Sequence, residues 1–168
     1  MSDEIERIGD DWRNHVGHTV RYAYAADRTL PGEVVNDIAC GIGYGSTFFS
    51  ASVEYHGYDR PGIPGKFFGQ FHACDLNDPG WVPADCDATV CFETLEHVED
   101  PGMLAYKIGD STKRAVFVSA PTEPTKDRNP FHLHDFTADD IPPMFPAFTI
   151  IDCWAQPEEL SHVWHFER

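Results

Sequence analysis

A glycine-rich turn that directly follows a short apolar strand constrains this chain more than any other feature. Residues 33–39 (EVVNDIA) are short, apolar and β-branched, which predicts a buried strand. Glycines follow at positions 41, 43 and 45, and they leave the backbone open to close approach by a ligand. Residues 46–51 begin with a capping-type serine and predict a helix, whose first N–H groups would lack partners within it. A ligand-binding turn in an α/β fold is therefore expected.

The remaining pattern places this turn in an open, mostly parallel sheet. Further strands are predicted at 53–59, 67–74, 88–92, 115–120, 147–154 and 162–167, and helices at 10–29 and 101–111, with a short one at 137–146. Trp12, Val16, Val20 and Tyr24 recur every four residues and indicate one face of the first helix. Residues 60–66 leave little room for a crossover helix. We predict an α/β, Rossmann-like, doubly wound sheet in three layers with reduced helices.

Length and composition support one folded unit and weigh against several functions. The 168 residues predict a single domain, with an N-terminal helical segment at 1–30 and a Rossmann-like core at 31–168. Twelve basic and 28 acidic residues give a net charge of −16, which disfavours nucleic acid and anionic membranes as partners. The sequence has no apolar run long enough to span a bilayer, and it has no signal peptide. Its five cysteines form no CxxC pair, which suits a reducing cytoplasm. The oligomeric state cannot be predicted.

Three aspartates mark the ends of successive predicted strands. Asp37 precedes the first glycine by four positions, Asp59 ends the second strand, and Asp75 ends the third. A carboxylate at Asp59 can accept both hydroxyls of a ribose, and one at Asp75 can bind the amino group of an adenine. Each acid alone is also explained as a loop or cap residue. Because the G-x-G-x-G spacing differs from the dinucleotide G-x-G-x-x-G, the set favours another adenosine-containing ligand.

At this point the chain resembles class I S-adenosylmethionine-dependent methyltransferases. Residues 35–46, 58–59 and 73–76 are similar to the first three motifs of that family, and residues 87–101 (DATVCFETLEHVEDP) to the fourth strand and loop of its small-molecule members. Residues 118–122 and 129–132 are similar to the fifth strand and the loop beyond it. Segment 15–25 resembles the helix before the first motif in one branch. The chain is short for the family, and no inserted substrate cap is visible.

The resemblance implies a set of cofactor-binding residues for S-adenosyl-L-methionine. Gly41 and Gly43 would approach the methionine part, Asp59 the ribose, and Asp75 with the Leu76 backbone the adenine. Phe92 would line the sulfonium. The whole set carried over from the motifs is Arg21, Asp37, Cys40, Gly41, Gly43, Gly45, Asp59, Asp75, Leu76 and Phe92. Arg21 would pair with the cofactor carboxylate, although a basic residue on an exposed helix is the commoner explanation.

Glu93, Glu96 and His97 are the candidate catalytic residues. They follow the fourth strand, where the acceptor would lie, and His97 is the nearest base for an acceptor that arrives protonated. His132 and His134 come from the next loop and can face the same pocket. A purely structural role for the Glu-His pair remains an equal alternative.

A metal centre is a further alternative at the same residues, although we assign no metal to the site from the sequence. Glu93-x-x-Glu96-His97 with His132 or His134 offers oxygen and nitrogen ligands, and resembles the metal site of RNA 3′-terminal 2′-O-methyltransferases. The net charge of −16 opposes an RNA substrate.

The sequence thus predicts a methyltransferase that acts on an unidentified small-molecule acceptor. A non-catalytic S-adenosylmethionine- or adenosine-binding module stays open, as does the metal-dependent RNA 2′-O-methyltransferase-like enzyme. An NAD-binding domain is disfavoured by the glycine spacing and because no residues remain for a separate substrate domain.

Overall fold

The computed structural model describes residue 13 and residues 15–61 and 67–168. Helix α1 spans Val16–Asp27 and helix α2 spans Pro101–Ser111. The strands are β1 (Val34–Ile38), β2 (Glu54–Asp59), β3 (Gln70–Ala73), β4 (Cys86–Phe92), β5 (Thr112–Pro121), β6 (Thr149–Gln156) and β7 (Ser161–Glu167). Short 3₁₀ turns lie at Tyr44–Thr47, Leu95–His97, Pro142–Met144 and Pro157–Glu159.

The seven strands form one sheet in the order β3-β2-β1-β4-β5-β7-β6. Strands β1 to β5 are parallel to one another, whereas β7 runs antiparallel to both β5 and β6. The chain starts in the middle of the sheet, builds outward to β3, and then returns to β4. The strand order therefore reverses between β1 and β4, which is where ligands bind in doubly wound sheets. The predicted Rossmann-like fold is confirmed.

Two apolar cores cover the two faces of the sheet. Along β5, Ala115 and Phe117 pack on the α1 side, and Val116 and Val118 pack on the α2 side. This alternation follows from the two-residue period of a strand. Helix α2 starts at a proline, and the Asp100 side chain accepts a hydrogen bond of 2.9 Å from the Met103 backbone N–H. Among the described residues, each face therefore carries one α-helix, and loops complete the layers.

The buried face of α1 differs from the predicted one. Val16 and Val20 are 66% and 45% exposed, while Arg21 and Tyr22 are buried beside Gly17 and Ala25. Trp12, the first member of the predicted apolar stripe, lies outside the described residues. The helix is turned because Arg21 has buried polar partners on β6 and after β4, which a periodicity argument cannot see.

Three further expectations change in detail. The predicted helix at 46–51 is replaced by the single 3₁₀ turn Tyr44–Thr47, and the one at 137–146 by turns ending in Pro142–Met144. Prolines at 142 and 143 remove backbone donors and explain the second change. Strand β3 is shorter than predicted, with three of its four residues exposed at the sheet edge. The described part of the chain contains no helix that is long and apolar enough to cross a membrane.

Candidate functional site

A cavity of about 490 Å³ opens at the carboxyl ends of the central strands. It lies at the reversal point of strand order, between the loops that follow β1, β2, β3, β4 and β5. Its volume is within the range of small-molecule sites. The walls are formed by His15, His18, Tyr22, Ala39, Cys40, Gly41, Tyr44, Asp59, Arg60, Asp75, Leu76, Asn77, Phe92, Glu93, Thr94, Glu96, His97, Val98, Pro121, Thr125, Asn129, Phe131, His132 and Glu159.

The three glycines of the turn have different surroundings. Gly41 lines the cavity at a φ of +56°, and an added Cβ would meet no atom within 4 Å. At Gly43, with a φ of +81°, a Cβ would lie 2.2 Å from Cδ2 of Phe67, and at Gly45 it would lie 2.3 Å from Cε1 of Tyr22. Gly41 therefore leaves space in the cavity, whereas Gly43 and Gly45 allow close packing behind it.

Several backbone N–H groups of the turn donate hydrogen bonds within the protein. Gly43 N donates to Cys40 O at 3.0 Å, and Ser46 N donates to Gly43 O at 3.2 Å. Gly41 N donates to Oδ2 of Asp59 at 2.8 Å. Since the expected helix after Gly45 is one short 3₁₀ turn, it does not provide the N-terminal anion site that the sequence suggested.

The acids of β2 and β3 converge on the cavity together. Asp59 joins the end of β2 to the turn after β1, because Oδ2 accepts from Gly41 N, while Oδ1 accepts from Arg60 N at 2.7 Å. Asp75 accepts a bond of 3.0 Å from Asn77 N, and Oδ1 lies 4.0 Å from Nη2 of Arg60. Asp59, Asp75 and Leu76 all line the cavity.

Asp37 lies behind the cavity rather than on its wall. Its side chain is buried in β1, and both tyrosine hydroxyls of Tyr22 and Tyr55 donate to it, with Tyr22 at 3.1–3.2 Å. Burial raises the pKa of Asp37 to about 7, against the opposing effect of the two hydroxyl donors. In this structure Asp37 orients the aromatic side chains that support the glycine turn.

Arg21 is buried in the protein, so the expectation of an exposed helical arginine is wrong. Nη1 lies 3.1 Å from Oε1 of Glu93, and Nε donates to Oε1 of Gln156 at 2.5 Å. Ser119 donates to Oε1 of Glu93 at 2.7 Å, and Ser161 donates to Oε2 at 2.9 Å. The Glu93 carboxylate is therefore held by an ion pair and two hydroxyl donors, and Arg21 does not line the cavity.

Backbone strain accompanies this arrangement. Glu93 has a φ of +49° and Ala39 a φ of +62°, and both residues follow directly on strands that end at the cavity. The Glu93 N–H donates to Ser119 O at 3.0 Å, which holds the left-handed conformation. Such non-glycine positions cost energy and are concentrated at functional sites.

Glu96, His97 and His132 come together on the cavity wall, from the loops that follow β4 and β5. Nε2 of His97 lies 3.7 Å from Oε1 of the buried Glu96, and the rings of His97 and His132 are 4.7 Å apart in an edge-to-face arrangement. His134 is directed elsewhere, because Nε2 donates to the Val98 carbonyl at 2.9 Å. Of the two histidines that the sequence proposed, only His132 lies at the cavity.

The sequence reasoning missed part of the wall. Tyr44 bonds through its hydroxyl to Nδ1 of His18 at 3.1 Å, and both belong to the cavity. Burial, with Arg21 and His15 nearby, lowers the pKa of His18 to about 3, so this ring is neutral. Glu159, from the turn after β6, completes the wall. The similarity of segment 15–25 to a family helix pointed to His18, but no local signal pointed to Glu159.

Comparisons with known proteins show the fold but no close relative. No protein-family model matches the chain, and no curated protein sequence matches it. Among solved structures, a Burkholderia thailandensis 1,6-didemethyltoxoflavin-N1-methyltransferase with bound substrate and S-adenosylhomocysteine is 16% identical, with a TM-score of 0.74; the match covers 95% of this chain and 81% of that one.

Two further solved structures match nearly the whole of this chain. Magnesium protoporphyrin IX methyltransferase from Synechocystis PCC 6803, with bound S-adenosylhomocysteine, is 17% identical with a TM-score of 0.69, over 98% of this chain and 90% of that one. The [4+2]-cyclase SpnF is 12% identical with a TM-score of 0.68, over 99% and 84%. The chain thus has the fold of class I S-adenosylmethionine-dependent methyltransferases, a fold that a cyclase shares.

Proposed function

We propose that this protein binds S-adenosyl-L-methionine in the central cavity and transfers its methyl group to a small-molecule acceptor. The observation that carries the proposal is the convergence of Gly41, Asp59 and Asp75 on one cavity with Phe92. Two of the solved structures of this fold are methyltransferases with bound S-adenosylhomocysteine. Because a cyclase has the same fold, the activity rests on the site and not on the fold alone.

The residues present fit an adenosine-containing ligand. Gly41 leaves an open space that a Cβ would fill, directly beside the Asp59 carboxylate. In this proposal Asp59 would accept hydrogen bonds from the two hydroxyls of a ribose. Asp75 and the Leu76 backbone would bind the adenine edge. These contacts lie in sequence along the sheet edge, so an extended cofactor would point its sulfonium towards Phe92.

Methyl transfer requires alignment and the exclusion of water more than acid–base chemistry. When bound, the cofactor supplies a methyl group already activated by the sulfonium. Phe92 and Glu93 would shape the wall beside that methyl group, while the ion pair with Arg21 holds Glu93 in place. His97, at the acceptor side, would hold the proton of an acceptor that arrives protonated.

A transfer assay tests this proposal. The protein is incubated with S-adenosylmethionine and a panel of small oxygen, nitrogen and carbon nucleophiles, and S-adenosylhomocysteine formation is followed by mass spectrometry. Acceptor-dependent product above the level without protein supports the proposal. Tight cofactor binding without turnover on any acceptor would favour the non-catalytic binding module instead.

A further inference from the structure

Three side chains in the loops after β4 and β5 form a cluster on the cavity wall with the chemistry of a metal centre. One ligand atom from each of Glu96, His97 and His132 lies within 4.8 Å of the other two. Glu96 is buried and the two histidines are half-buried, so the cluster is partly shielded from solvent. One carboxylate and two imidazoles suit divalent first-row transition ions better than magnesium or calcium, which prefer oxygen ligands. We propose that these three residues bind such an ion.

The two histidines already have the supporting contacts that metal ligands need. Nδ1 of His97 lies 3.1 Å from the Phe131 carbonyl oxygen, and Nδ1 of His132 lies 2.6 Å from Oγ1 of Thr125. Metal-binding histidines commonly fix their second ring nitrogen in this way, which sets the tautomer and the ring orientation. Nε2 is then the nitrogen that each ring would direct to the ion.

Backbone contacts join the two segments that carry the ligands. Leu133 N donates to the Glu96 carbonyl at 2.7 Å, and His134 N donates to the same oxygen at 3.3 Å. The loop bearing His132 is therefore attached to the turn bearing Glu96 and His97 without any ion. The geometry of the cluster is formed by the fold itself, which reduces the ordering that binding would require.

The structure assigns a different ligand set from the one that the sequence motif suggests. Glu93 would belong to a Glu93-x-x-Glu96-His97 site, but Arg21, Ser119 and Ser161 occupy its carboxylate. A guanidinium 3.1 Å away also opposes a cation at that carboxylate. Three protein ligands leave coordination positions open, as in catalytic rather than structural metal sites.

The open positions define the class of acceptor. The cluster lines the same cavity as Phe92, and this part of the inference rests on the proposed function. An acceptor that offers a hydroxyl oxygen would bind the ion and be oriented towards the methyl group, whereas an amine acceptor without oxygen ligands would gain less. The site therefore favours hydroxylated small molecules.

Cobalt titration tests the metal site directly. The protein is stripped with a chelator, dialysed, and titrated with Co²⁺, with calorimetry for stoichiometry and visible absorption for ligand type. We expect one ion per chain, and at least tenfold weaker binding for His132→Ala and for the near-isosteric Glu96→Gln. The matched control is His134→Ala, two residues away and bonded to Val98 instead, which should bind cobalt as the wild type does.

Three results would overturn the metal site: no cobalt binding, equal weakening by His134→Ala, or thiolate-to-cobalt charge-transfer absorption that places the ion on cysteine. S-adenosylhomocysteine binding is measured in parallel with chelator present. Cofactor binding without cobalt binding overturns the metal site and leaves His97 as a base in the proposed function. Cobalt binding with the expected variant pattern but no cofactor binding supports the metal site and overturns the proposed function.

Discussion

The Nη1 atom of Arg21 lies 3.1 Å from Oε1 of Glu93, and the arginine side chain is fully buried. This pair joins α1 to the loop after β4, at a residue with a left-handed backbone conformation. Breaking a buried pair by removing one partner leaves an uncompensated charge. We therefore expect Arg21→Met to lower the free energy of unfolding by about 3–5 kcal/mol, measured by urea denaturation.

The matched control for that variant is Arg28→Met, on the residue that caps α1. Nη1 of Arg28 lies 3.4 Å from Oδ2 of Asp27 at the surface, and the guanidinium lies over the Tyr24 ring. Exposed ion pairs contribute about 0–1 kcal/mol. Equal losses for the two variants would show that the buried pair has no special weight.

Gly41 and Gly32 share a backbone requirement but differ in surroundings. Both have positive φ, +56° and +86°, and neither would bring a Cβ within 4 Å of another atom. Alanine at either position should cost about 1–2 kcal/mol of stability, because L residues are strained in this region. Only Gly41→Ala fills the cavity, so we expect at least tenfold weaker S-adenosylhomocysteine binding by calorimetry for that variant. Equal affinities for the two variants would remove Gly41 from the cofactor site.

Asp37 should make stability depend on pH. Its pKa in the folded protein is raised to about 7 from 3.8, so between these values the native state holds a proton that the unfolded state has lost. Stability from this group is present at low pH and is lost as the pH rises to about 7, with a slope of about 1.4 kcal/mol per pH unit.

The Asp37→Asn variant isolates this effect. We would measure the free energy of unfolding of both proteins in urea from pH 4.5 to 8. Relative to the variant, the wild type should lose stability as the pH rises to about 7, and the difference should then level off. A difference that is constant with pH would mean that Asp37 is ionised throughout the folded state.

Substitution of His97 should lower methyl transfer without weakening cofactor binding. His97 follows β4, whereas Asp59 and Asp75 lie at the ends of β2 and β3, on the other side of β1 in the sheet. His97→Ala should therefore bind S-adenosylhomocysteine within about twofold of wild type. Loss of an acid–base or ion-binding group should lower transfer by about 100-fold or more. His56→Ala, at the β2–β3 edge outside the cavity wall, is the control. An equal loss of thermal stability and transfer would support a structural role for His97.

The strands and the cofactor end of the site could be predicted from local sequence. Short apolar segments determine β1, β4 and β5, and parallel strands bring their carboxyl ends to one edge. For that reason Asp59 and Asp75 lie on one cavity as expected, although their binding roles stay predictions. The alternative explanation of each aspartate, as a loop or cap residue, also holds in part, because both side chains accept hydrogen bonds from backbone N–H groups.

Contacts distant in sequence account for what could not be predicted. Arg21 is buried because Gln156, 135 residues away, and Glu93 receive its guanidinium. This pairing sets the rotation of α1 about its axis, so that Val16 is exposed although the apolar periodicity of the helix predicts that it is buried. The choice of His132 over His134 depends on how one loop docks on the Glu96 carbonyl. Local patterns carry no information on these contacts.

The measurement that tests the central claim most directly is calorimetric titration with S-adenosylhomocysteine and, separately, NAD. We predict saturable binding of one S-adenosylhomocysteine per chain and no NAD signal. Asp59→Ala should weaken binding by about 1–3 kcal/mol, or roughly 5- to 150-fold, while the exposed Asp85→Ala, before β4, should leave it unchanged. Absence of S-adenosylhomocysteine binding by folded protein, or equal affinity for Asp59→Ala and wild type, would contradict the account.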